Sequence, residues 1–229
     1  MSACNSCVVR TQAMCSILSD REREEFARLG RQMAVPTGQT LMWEGTDSMV
    51  VANVVSGALK LSTSVQDGRE QIVGVVYPSD FIGRPFGKTS PHSVTALSDA
   101  RLCVFPRGAF DMFARSHPDL EHRLLRRTLD ELDGARGWML LLGRASAREK
   151  VATFIRDVAG RLAAEGDAPL TRFDLPLSRQ QIADILGLTI ETVCRQLTAM
   201  KRAGVIDLIG RRGVAILNPD QLEDMAHAA

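Results

Sequence analysis

The 229-residue sequence has no long hydrophobic run, no secretory signal and no strong excess of charge of one sign. Its longest apolar stretch is the short run at residues 138–142, whereas a membrane span needs roughly 18 apolar residues. The N-terminus also lacks the basic start and apolar core that a signal peptide needs. These absences predict a protein of the reducing cytoplasm that has no membrane partner.

The charge balance and the histidines exclude two further classes of protein. A formal net charge of +1 excludes a histone-like polyelectrolyte, although it leaves room for a local basic patch. The histidines, His92, His117, His122 and His227, are scattered, and the sequence has neither a catalytic triad nor a nucleotide-binding glycine loop. We therefore expect no enzymatic activity. With 45% hydrophobic and 24% charged residues, the chain is expected to fold into a globular protein.

Three of the five cysteines are crowded into the first fifteen residues. In a reducing compartment, thiol chemistry or metal binding is a better explanation for them than disulfide bonds. The spacing Cys4-x2-Cys7-x7-Cys15 brings three thiolates onto one arm, and soft thiolates suit iron–sulfur clusters, zinc or Cu(I). A [4Fe–4S] cluster normally takes four cysteines, and Cys103 could supply the fourth. A cysteine inside a strand can equally be a small buried hydrophobic residue.

Between residues 41 and 105 the chain has short apolar stretches separated by glycine and other turn residues. Residues 66–69, Gln-Asp-Gly-Arg, are typical of a hairpin turn because Asp-Gly readily adopts positive φ angles. Regular short strands of this kind predict a β-roll, barrel or sandwich. The capping-box pattern of Ser19 and Glu22 predicts a helix before this region, and that of Ser146 and Glu149 predicts another after it.

A long helix is predicted from His117 to Leu142, because proline is tolerated in the first turn and no other breaker follows before Gly134. Apolar residues recur every seven positions in this stretch, which favours packing along a partner helix from a second copy of the chain. The alternative is a helix buried inside one domain. The residues predicted to pair the two copies are Leu125, Leu132, Ala135, Met139 and Leu142.

Residues 178–202 have the pattern of a helix-turn-helix. Ser178 caps the first helix, Gly187 provides the turn and Thr189 caps the second helix. On the second helix, Val193 and the other apolar residues share one face. The opposite face carries hydrogen-bonding side chains near the helix N-terminus, which is what the DNA major groove requires. These side chains are Glu191, Cys194, Arg195 and Thr198.

Two of these residues match known contacts with base edges. Arg195 could donate twice to guanine O6 and N7, and Glu191 could accept from cytosine N4. Residues 204–217 then predict two strands around a Gly-Arg-Arg-Gly turn, which would form a basic wing. Residues 178–213 contain six basic and three acidic residues, so phosphate contacts are a natural use for the arginines. A solvated helix face explains the polarity but not this wing. The predicted DNA-binding set is Ser178, Arg179, Thr189, Glu191, Cys194, Arg195, Thr198, Arg211 and Arg212, and Arg202 is a further candidate for phosphate contact.

A glycine-punctuated roll, a long helix and a C-terminal winged helix, in that order, resemble the CRP/FNR superfamily of transcription regulators over nearly the whole chain. Residues 186–193, Leu-Gly-Leu-Thr-Ile-Glu-Thr-Val, are very similar to the FNR/FixK branch. The resemblance implies a homodimer that reads a palindrome with TTGAT-like half-sites through Glu191, Cys194 and Arg195. Cys194 departs from the serine of that branch, and a thiol is a weaker donor than a hydroxyl.

The resemblance implies an α+β fold with four parts. Residues 1–18 form a cysteine-rich arm, and residues 19–115 form a double-stranded β-roll sensor domain. Residues 116–145 form the dimerisation helix, and residues 146–229 form the winged helix-turn-helix domain. The cyclic-nucleotide branch of the superfamily needs a glutamate and an arginine in the roll, and neither is in place within residues 81–86 and 92–96. We therefore expect no cAMP binding.

The cysteine spacing, together with residues 98–103, 128–133 and 138–143, resembles the FNR/FnrL-type oxygen-sensing subgroup. This implies a [4Fe–4S] cluster held by Cys4, Cys7, Cys15 and Cys103 that keeps the dimer together without oxygen. The implied function is an oxygen-responsive activator of anaerobic or microaerobic genes, with double-stranded DNA and RNA polymerase as partners. One alternative is a regulator gated by another small ligand or by oxidation of Cys194, with the arm holding zinc or no metal. The other is a different class, an iron–sulfur electron-transfer protein or redox enzyme.

Overall fold

The computed structural model describes residues 4, 7–64, 70–163, 168 and 170–226. The chain divides into two compact units, residues 1–131 and residues 132–229. The predicted hairpin turn at residues 66–69 and His227 lie outside the described residues. No helix within the described ranges combines the length and the apolar character needed to cross a bilayer.

The first unit contains eight strands in two antiparallel four-stranded sheets. The strands are β1 (Arg31–Val35), β2 (Thr40–Met42), β3 (Val50–Ser56), β4 (Leu59–Ser64), β5 (Glu70–Val76), β6 (Phe81–Ile82), β7 (Ser93–Ala96) and β8 (Ala100–Pro106). One sheet has the order β1-β8-β3-β6 and the other has the order β2-β7-β4-β5. Every strand contributes a buried residue to one apolar core, among them Val54, Leu59 and Leu102. This confirms the predicted β-roll.

The helices of the first unit pack on the β1-β8-β3-β6 sheet. They are α1 (Asp20–Leu29), α2 (Arg107–Arg115) and the first part of α3 (Pro118–Arg144), preceded by a 3₁₀ turn (Met14–Ile17). Phe26 of α1 stacks on Phe105 of β8 with ring centroids 4.2 Å apart, and both rings contact Phe110 of α2. Met14 and Leu120 belong to the same buried cluster. This second core therefore fixes the N-terminal segment and the start of α3 to the roll.

The second unit contains helices around a three-stranded antiparallel sheet of order β10-β11-β9. Its elements after α3 are α4 (Ala147–Leu162), β9 (Arg172–Asp174), α5 (Arg179–Leu186), α6 (Ile190–Arg202), β10 (Ile206–Ile209), β11 (Gly213–Ile216) and α7 (Pro219–Ala226). All three predicted capping boxes are present, because the hydroxyls of Ser19, Ser146 and Ser178 each accept from the backbone N–H three residues later. The fold is that of a roll, a long helix and a winged helix-turn-helix.

Strand β1 and helix α2 are among the elements that were not predicted from the sequence. Strand β1 begins at Arg31, ten residues before the region of predicted strands, which starts at residue 41. It lies at a sheet edge and leaves most of its side chains exposed, so it lacks the apolar alternation that marks a half-buried strand. Helix α2 is nine residues long and has no side-chain cap, which removes the usual start signal.

Candidate functional site

The turn between α5 and α6 is built by three residues with local roles. Gly187 has a φ of 60° in the left-handed region, where glycine is not strained, and its N–H donates to the carbonyl of Ala183. Thr189 begins the next helix, and its hydroxyl accepts from the backbone N–H of Thr192 at 3.2 Å. Ala183 and Val193 are completely buried between the two helices. This confirms the predicted helix-turn-helix.

The two faces of α6 divide as the sequence predicted. Val193, Leu197 and Met200 are buried in the core of the second unit. The side chains on the opposite face are exposed, and they are Glu191, Cys194, Arg195 and Thr198. An exposed polar face beside a helix N-terminus can enter a DNA groove without disturbing the packing behind it.

Hydrogen bonds already orient several groups on this exposed face. A guanidinium nitrogen of Arg195 donates to the hydroxyl of Thr192 at 3.3 Å, and the Thr198 hydroxyl donates to the Cys194 carbonyl at 2.8 Å. The Glu191 carboxyl has a lowered pKa because its own backbone N–H and the Thr189 hydroxyl donate to it. Glu191 is therefore an ionised acceptor near neutral pH. Thr192 was not predicted from the sequence. The only feature that could have indicated its role is its position one helical turn before Arg195.

Arg179 lies at the start of α5 and faces α6. It is half-buried, and its Nη1 atom is buried without a hydrogen-bond partner among the described residues. Burial lowers the pKa of this guanidinium, and the neighbouring thiol of Cys194 acts in the opposite direction. A buried cationic nitrogen without a partner is costly, so it is suited to an incoming anionic acceptor.

The β10–β11 hairpin forms the predicted basic wing. Arg211 and Arg212 are exposed at its tip, and Arg212 is also anchored because its Nη1 atom donates to the Pro176 carbonyl at 3.3 Å. A Cβ added at Gly213 would lie 2.7 Å from the carbonyl oxygen of Ile209, so the hairpin needs glycine there. The basic side chain of Lys201, at the end of α6, is instead paired with Asp207 at 2.6 Å.

The N-terminal arm is packed against the roll of the first unit. Val9, Ala13 and Val55 form a buried cluster, and Cys7, Cys15 and Cys103 pack against it. The backbone N–H of Met14 also donates to the side-chain oxygen of Asn53 at 3.4 Å. Cys103 lies in the middle of β8, opposite Asn53 of β3. The arm therefore carries its thiols to the strand that holds Cys103.

The thiols of Cys15 and Cys103 are perturbed by burial and by the cysteines around them. Burial raises the pKa of Cys103 to about 12, and the neighbouring thiols of Cys4, Cys15 and Cys7 add to the rise. Burial likewise raises the pKa of Cys15, with smaller contributions from Cys4 and Cys7. The cysteines within the described ranges form no disulfide. Within those ranges, no three histidine, cysteine, aspartate or glutamate side chains are arranged closely enough to hold a metal ion.

The donor set thus fits a thiophilic metal centre in chemistry, although its coordination geometry is not preformed. Cys15 and Cys103, whose pKa is raised by burial and by the neighbouring arm thiols, are groups that a bound cation would stabilise as thiolates.

The arm and the roll are both bonded to the first part of α3. Arg123 donates from Nη2 to the carbonyl of Gln12 at 3.3 Å, which joins the arm to the helix. One turn later, Arg127 donates to the carbonyl of Ser79 at 3.1 Å and forms an ion pair with Asp80. The sequence did not predict these contacts of Arg123 and Arg127, because their partners are distant in the chain.

Beyond these contacts α3 is exposed. Every residue from 128 to 137 is exposed in the single chain. The predicted pairing residues Leu125, Leu132, Ala135, Met139 and Leu142 are all among the exposed side chains. Leu129 is exposed as well and was not predicted, whereas Leu141 is buried in the second unit. This exposure argues against the alternative of a helix buried inside one domain.

Comparison with known proteins agrees with this architecture. Residues 32–117 match the family model of the cyclic nucleotide-binding domain, and residues 149–225 match that of the Crp-like helix-turn-helix domain. The chain is 45% identical over 217 residues to the transcriptional activator protein FnrL of Cereibacter sphaeroides, covering 93% of this chain and 87% of that protein. This chain belongs to the CRP/FNR family.

Two further proteins that are similar to this chain are of the FixK type. The nitrogen fixation regulation protein FixK of Bradyrhizobium diazoefficiens is 40% identical over 225 residues, covering 98% of this chain and 94% of that protein. The solved structure of FixK2 from Bradyrhizobium japonicum superposes with a TM-score of 0.80 at 30% identity, covering 87% of this chain and 98% of that chain. The protein is a transcriptional activator of the FNR/FixK type, and its relatives are named as regulators rather than enzymes.

The match to a cyclic nucleotide-binding domain concerns the roll of this CRP/FNR protein. In the segment that follows β5, the chain has Gly83 with a φ of 100°, followed by an exposed Arg84 and by Pro85. Arg84 stands where the nucleotide-binding branch requires a glutamate, and residues 92–96 lack the arginine that the branch requires further on. The absence of cAMP binding stays a prediction.

Proposed function

We propose that this CRP/FNR protein is an oxygen-responsive activator, acting in the cytoplasm, that binds a TTGAT-type palindrome as a homodimer. Cys4, Cys7, Cys15 and Cys103 would hold a [4Fe–4S] cluster, and the state of this site would govern dimerisation and hence DNA binding. The observation that carries this proposal is the packing of Cys7, Cys15 and Cys103 against one buried cluster between the arm and the roll, where the neighbouring arm thiols add to the raised pKa of Cys103. When bound, such a cluster supplies iron that is ligated by thiolates and, by the family resemblance, lost on exposure to oxygen.

The protonation state of Cys103 links the attachment of the arm to whether the thiols hold a cation. With the pKa of Cys103 near 12, this thiol is neutral at physiological pH unless a cation stabilises its thiolate. A bound cation would therefore tie Cys103 of β8 to the arm cysteines by charge as well as by packing. Without it, the arm is held mainly by Val9, Ala13 and Met14.

The contact between Arg123 and Gln12 provides a route from the arm to α3. Ordering of the arm fixes the Gln12 carbonyl and, with it, the Arg123 side chain one turn before the exposed apolar stretch. A 27-residue helix with exposed leucines gains from burying them against a partner. We assign that partner to a second copy of the chain, because a palindromic site requires two-fold symmetry.

The DNA-binding side of the proposal rests on the exposed face of α6 and its surroundings. Glu191, Cys194 and Arg195 would contact base edges, and the residues around them would position the helix on the phosphates. The Nη1 atom of Arg179, which has no partner among the described residues, suits a phosphate oxygen. The remaining contacts are proposed for Ser178, Thr189, Thr198, Arg211 and Arg212, with the two arginines exposed on the wing.

The proposal can be tested on protein purified without oxygen. We expect a visible iron–sulfur absorption, about four iron and four sulfide per chain, and retention of a TTGAT-type palindrome in a gel shift. Exposure to air should weaken this retention by about tenfold or more, as loss of simultaneous binding to two half-sites would.

Matched cysteine variants separate the thiol site from the DNA interface. Cys103→Ser should lose iron, whereas Cys194→Ser should keep it because Cys194 lies on α6. Colourless, iron-free wild-type protein that retains the palindrome equally with and without air would contradict the oxygen-sensing proposal. It would leave a CRP/FNR activator with a different signal.

The surroundings of Cys194 favour a second way of controlling DNA binding, which is oxidation of its thiol. Its thiol is exposed on the DNA-facing side of α6 and interacts electrostatically with Arg179. Hydrogen peroxide would oxidise the thiolate to a sulfenic acid with release of hydroxide, which would change the contact surface. Peroxide should then block DNA retention in a variant made to bind DNA independently of its metal site, but not when Cys194→Ser is added to that variant. Equal loss in both proteins would exclude this mode.

A further inference from the structure

A buried carboxamide lies in the middle of the strand against which the arm packs. Asn53 of β3 is only 2% exposed, and its neighbours on both sides in the strand are apolar and completely buried. In the sheet it is paired with Cys103 of β8 on one side and with Phe81 of β6 on the other. A buried polar side chain in such surroundings is costly unless it forms a hydrogen bond, so Asn53 needs a polar partner at this place.

The partner of Asn53 lies on the arm. The Oδ1 atom of Asn53 accepts from the backbone N–H of Met14 at 3.4 Å, and Met14 is completely buried. Met14 is the first residue of the 3₁₀ turn, so its N–H is one of the donors that the start of a helix leaves without a partner inside the helix. The preceding residue is Ala13, whose methyl side chain cannot accept a hydrogen bond. Asn53 therefore caps this turn from the roll, 39 residues away in the chain.

A second side chain holds the other end of the same turn. Arg23 of α1 is buried, and its Nη2 atom donates to the Leu18 carbonyl at 2.5 Å. Its Nε atom donates to the Cys15 carbonyl at 3.4 Å, and its Nη1 atom is paired with Asp20 at 2.7 Å. Carbonyls at the end of a helix need partners from outside the helix, and Arg23 supplies them here. The turn is thus bonded to the roll at its start and to α1 at its end.

Cys15 lies between these two attachments. It follows Met14 directly in the chain, and it packs against the same buried cluster of arm and roll as Cys103. Cys103 is fixed independently of the arm, because β8 is paired with β1 on one side and with β3 on the other. Two of the four proposed ligands are therefore held at one cluster by bonds that involve no metal.

We propose that Asn53 and Arg23 are positioning residues that keep Cys15 beside β8, so that two of the four ligands stay in place when the metal centre is lost. This deepens the proposed function and rests on the thiol site stated there. Neither side chain acts as a ligand, because the Asn53 oxygen is engaged by the Met14 N–H and the Arg23 guanidinium is a cation. What they supply is order: ligands that are already in place lose less conformational entropy when a metal binds than ligands gathered from a disordered segment.

The test uses the full-length protein, reduced and freed of metal without oxygen, with Cys194→Ser in every sample so that only the thiols of the proposed site remain. Asn53→Leu removes the acceptor but keeps a similar volume, and Arg23→Met removes the guanidinium but keeps an apolar stem. Ser62→Ala is the matched control, because Ser62 is a buried polar residue on β4 of the other sheet. For each protein we would measure amide hydrogen exchange of residues 14–18, denaturant unfolding and the binding of Cd²⁺, a thiophilic probe ion, by its thiolate absorption.

We expect Asn53→Leu and Arg23→Met each to speed the exchange of residues 14–18 and to weaken Cd²⁺ binding by about fivefold, the scale of one hydrogen bond. Ser62→Ala should lower the stability of the roll but change neither quantity by more than about twofold. Unchanged exchange in both variants would overturn the proposal, and so would faster exchange with unchanged Cd²⁺ binding. If Asn53→Leu did not fold, Arg23→Met would decide the test.

The failure of the proposed function would look different. Protein without these substitutions would then bind neither iron nor Cd²⁺, whereas the exchange of residues 14–18 would still show whether the two side chains hold the turn.

Discussion

Replacement of Arg123 by glutamine tests whether the arm communicates with the long helix. The wild-type contact is a single hydrogen bond, from a charged donor to the Gln12 carbonyl, and it is long at 3.3 Å. Hydrogen bonds to charged groups contribute about 1.5–3 kcal/mol, and this length places the contact at or below the low end, at about 1 kcal/mol. The variant should therefore reduce by about fivefold the effect of the thiol site on dimerisation.

The assay for this prediction is the dimer dissociation constant, measured by sedimentation on protein prepared without oxygen and on the same protein after air exposure. The ratio of the two constants should shrink in Arg123→Gln. Arg126→Gln is the control, because Arg126 is an exposed arginine of the same helix. If Arg123→Gln left the ratio unchanged, or if both variants changed it equally, the route through Gln12 would be refuted. A change of both constants by the same factor would indicate a general effect on the helix.

Three further predictions concern stability. Arg127→Gln removes the ion pair between Arg127 and Asp80, and since the two side chains are only 19% and 11% exposed, denaturant unfolding should show a loss of about 2–4 kcal/mol. Gly213→Ala places a methyl group against the Ile209 carbonyl and should cost about 1–3 kcal/mol, whereas Gly160→Ala, in open space on α4, should stabilise by up to about 1 kcal/mol. The pKa of Glu191 lies below its usual 4.5, so its stabilising effect is complete above that value and is lost as the pH falls through the folded-state pKa. Glu191→Gln should therefore flatten the fall in stability as the pH is lowered below about 4.5, and an unchanged profile would contradict this assignment.

The features that the sequence predicted are those encoded within a few residues. The caps at Ser146, Ser178 and Thr189 are present because each needs only a hydroxyl and a backbone N–H three residues away. The exposed face of α6 follows from the helical period alone. The left-handed turn at Gly187 likewise needs only glycine.

The features that the sequence did not predict depend on contacts between distant segments. Arg123 and Arg127 look like ordinary surface residues of an amphipathic helix, and only the folded arm and the turn at Asp80 give them partners. Phe86 carries no local signal of exposure, because its conformation is maintained by Asp111 from a different element. Cys103 reaches the arm because β8 lies between β1 and β3, and its assignment as a ligand came from family resemblance rather than spacing.

The weakness of the contact between the arm and α3 is consistent with a reversible switch. A single long hydrogen bond, as opposed to the nearly buried ion pair of Arg127 and Asp80, can be lost without unfolding the roll. The ion pair therefore anchors the helix in both states, and the Arg123 contact adds a small bias in one of them. A dimer of marginal stability needs only such a bias, because a coupling of about 1–3 kcal/mol changes an equilibrium by about 5- to 150-fold. A stronger link would hold the helix in one state whether or not the thiols were occupied.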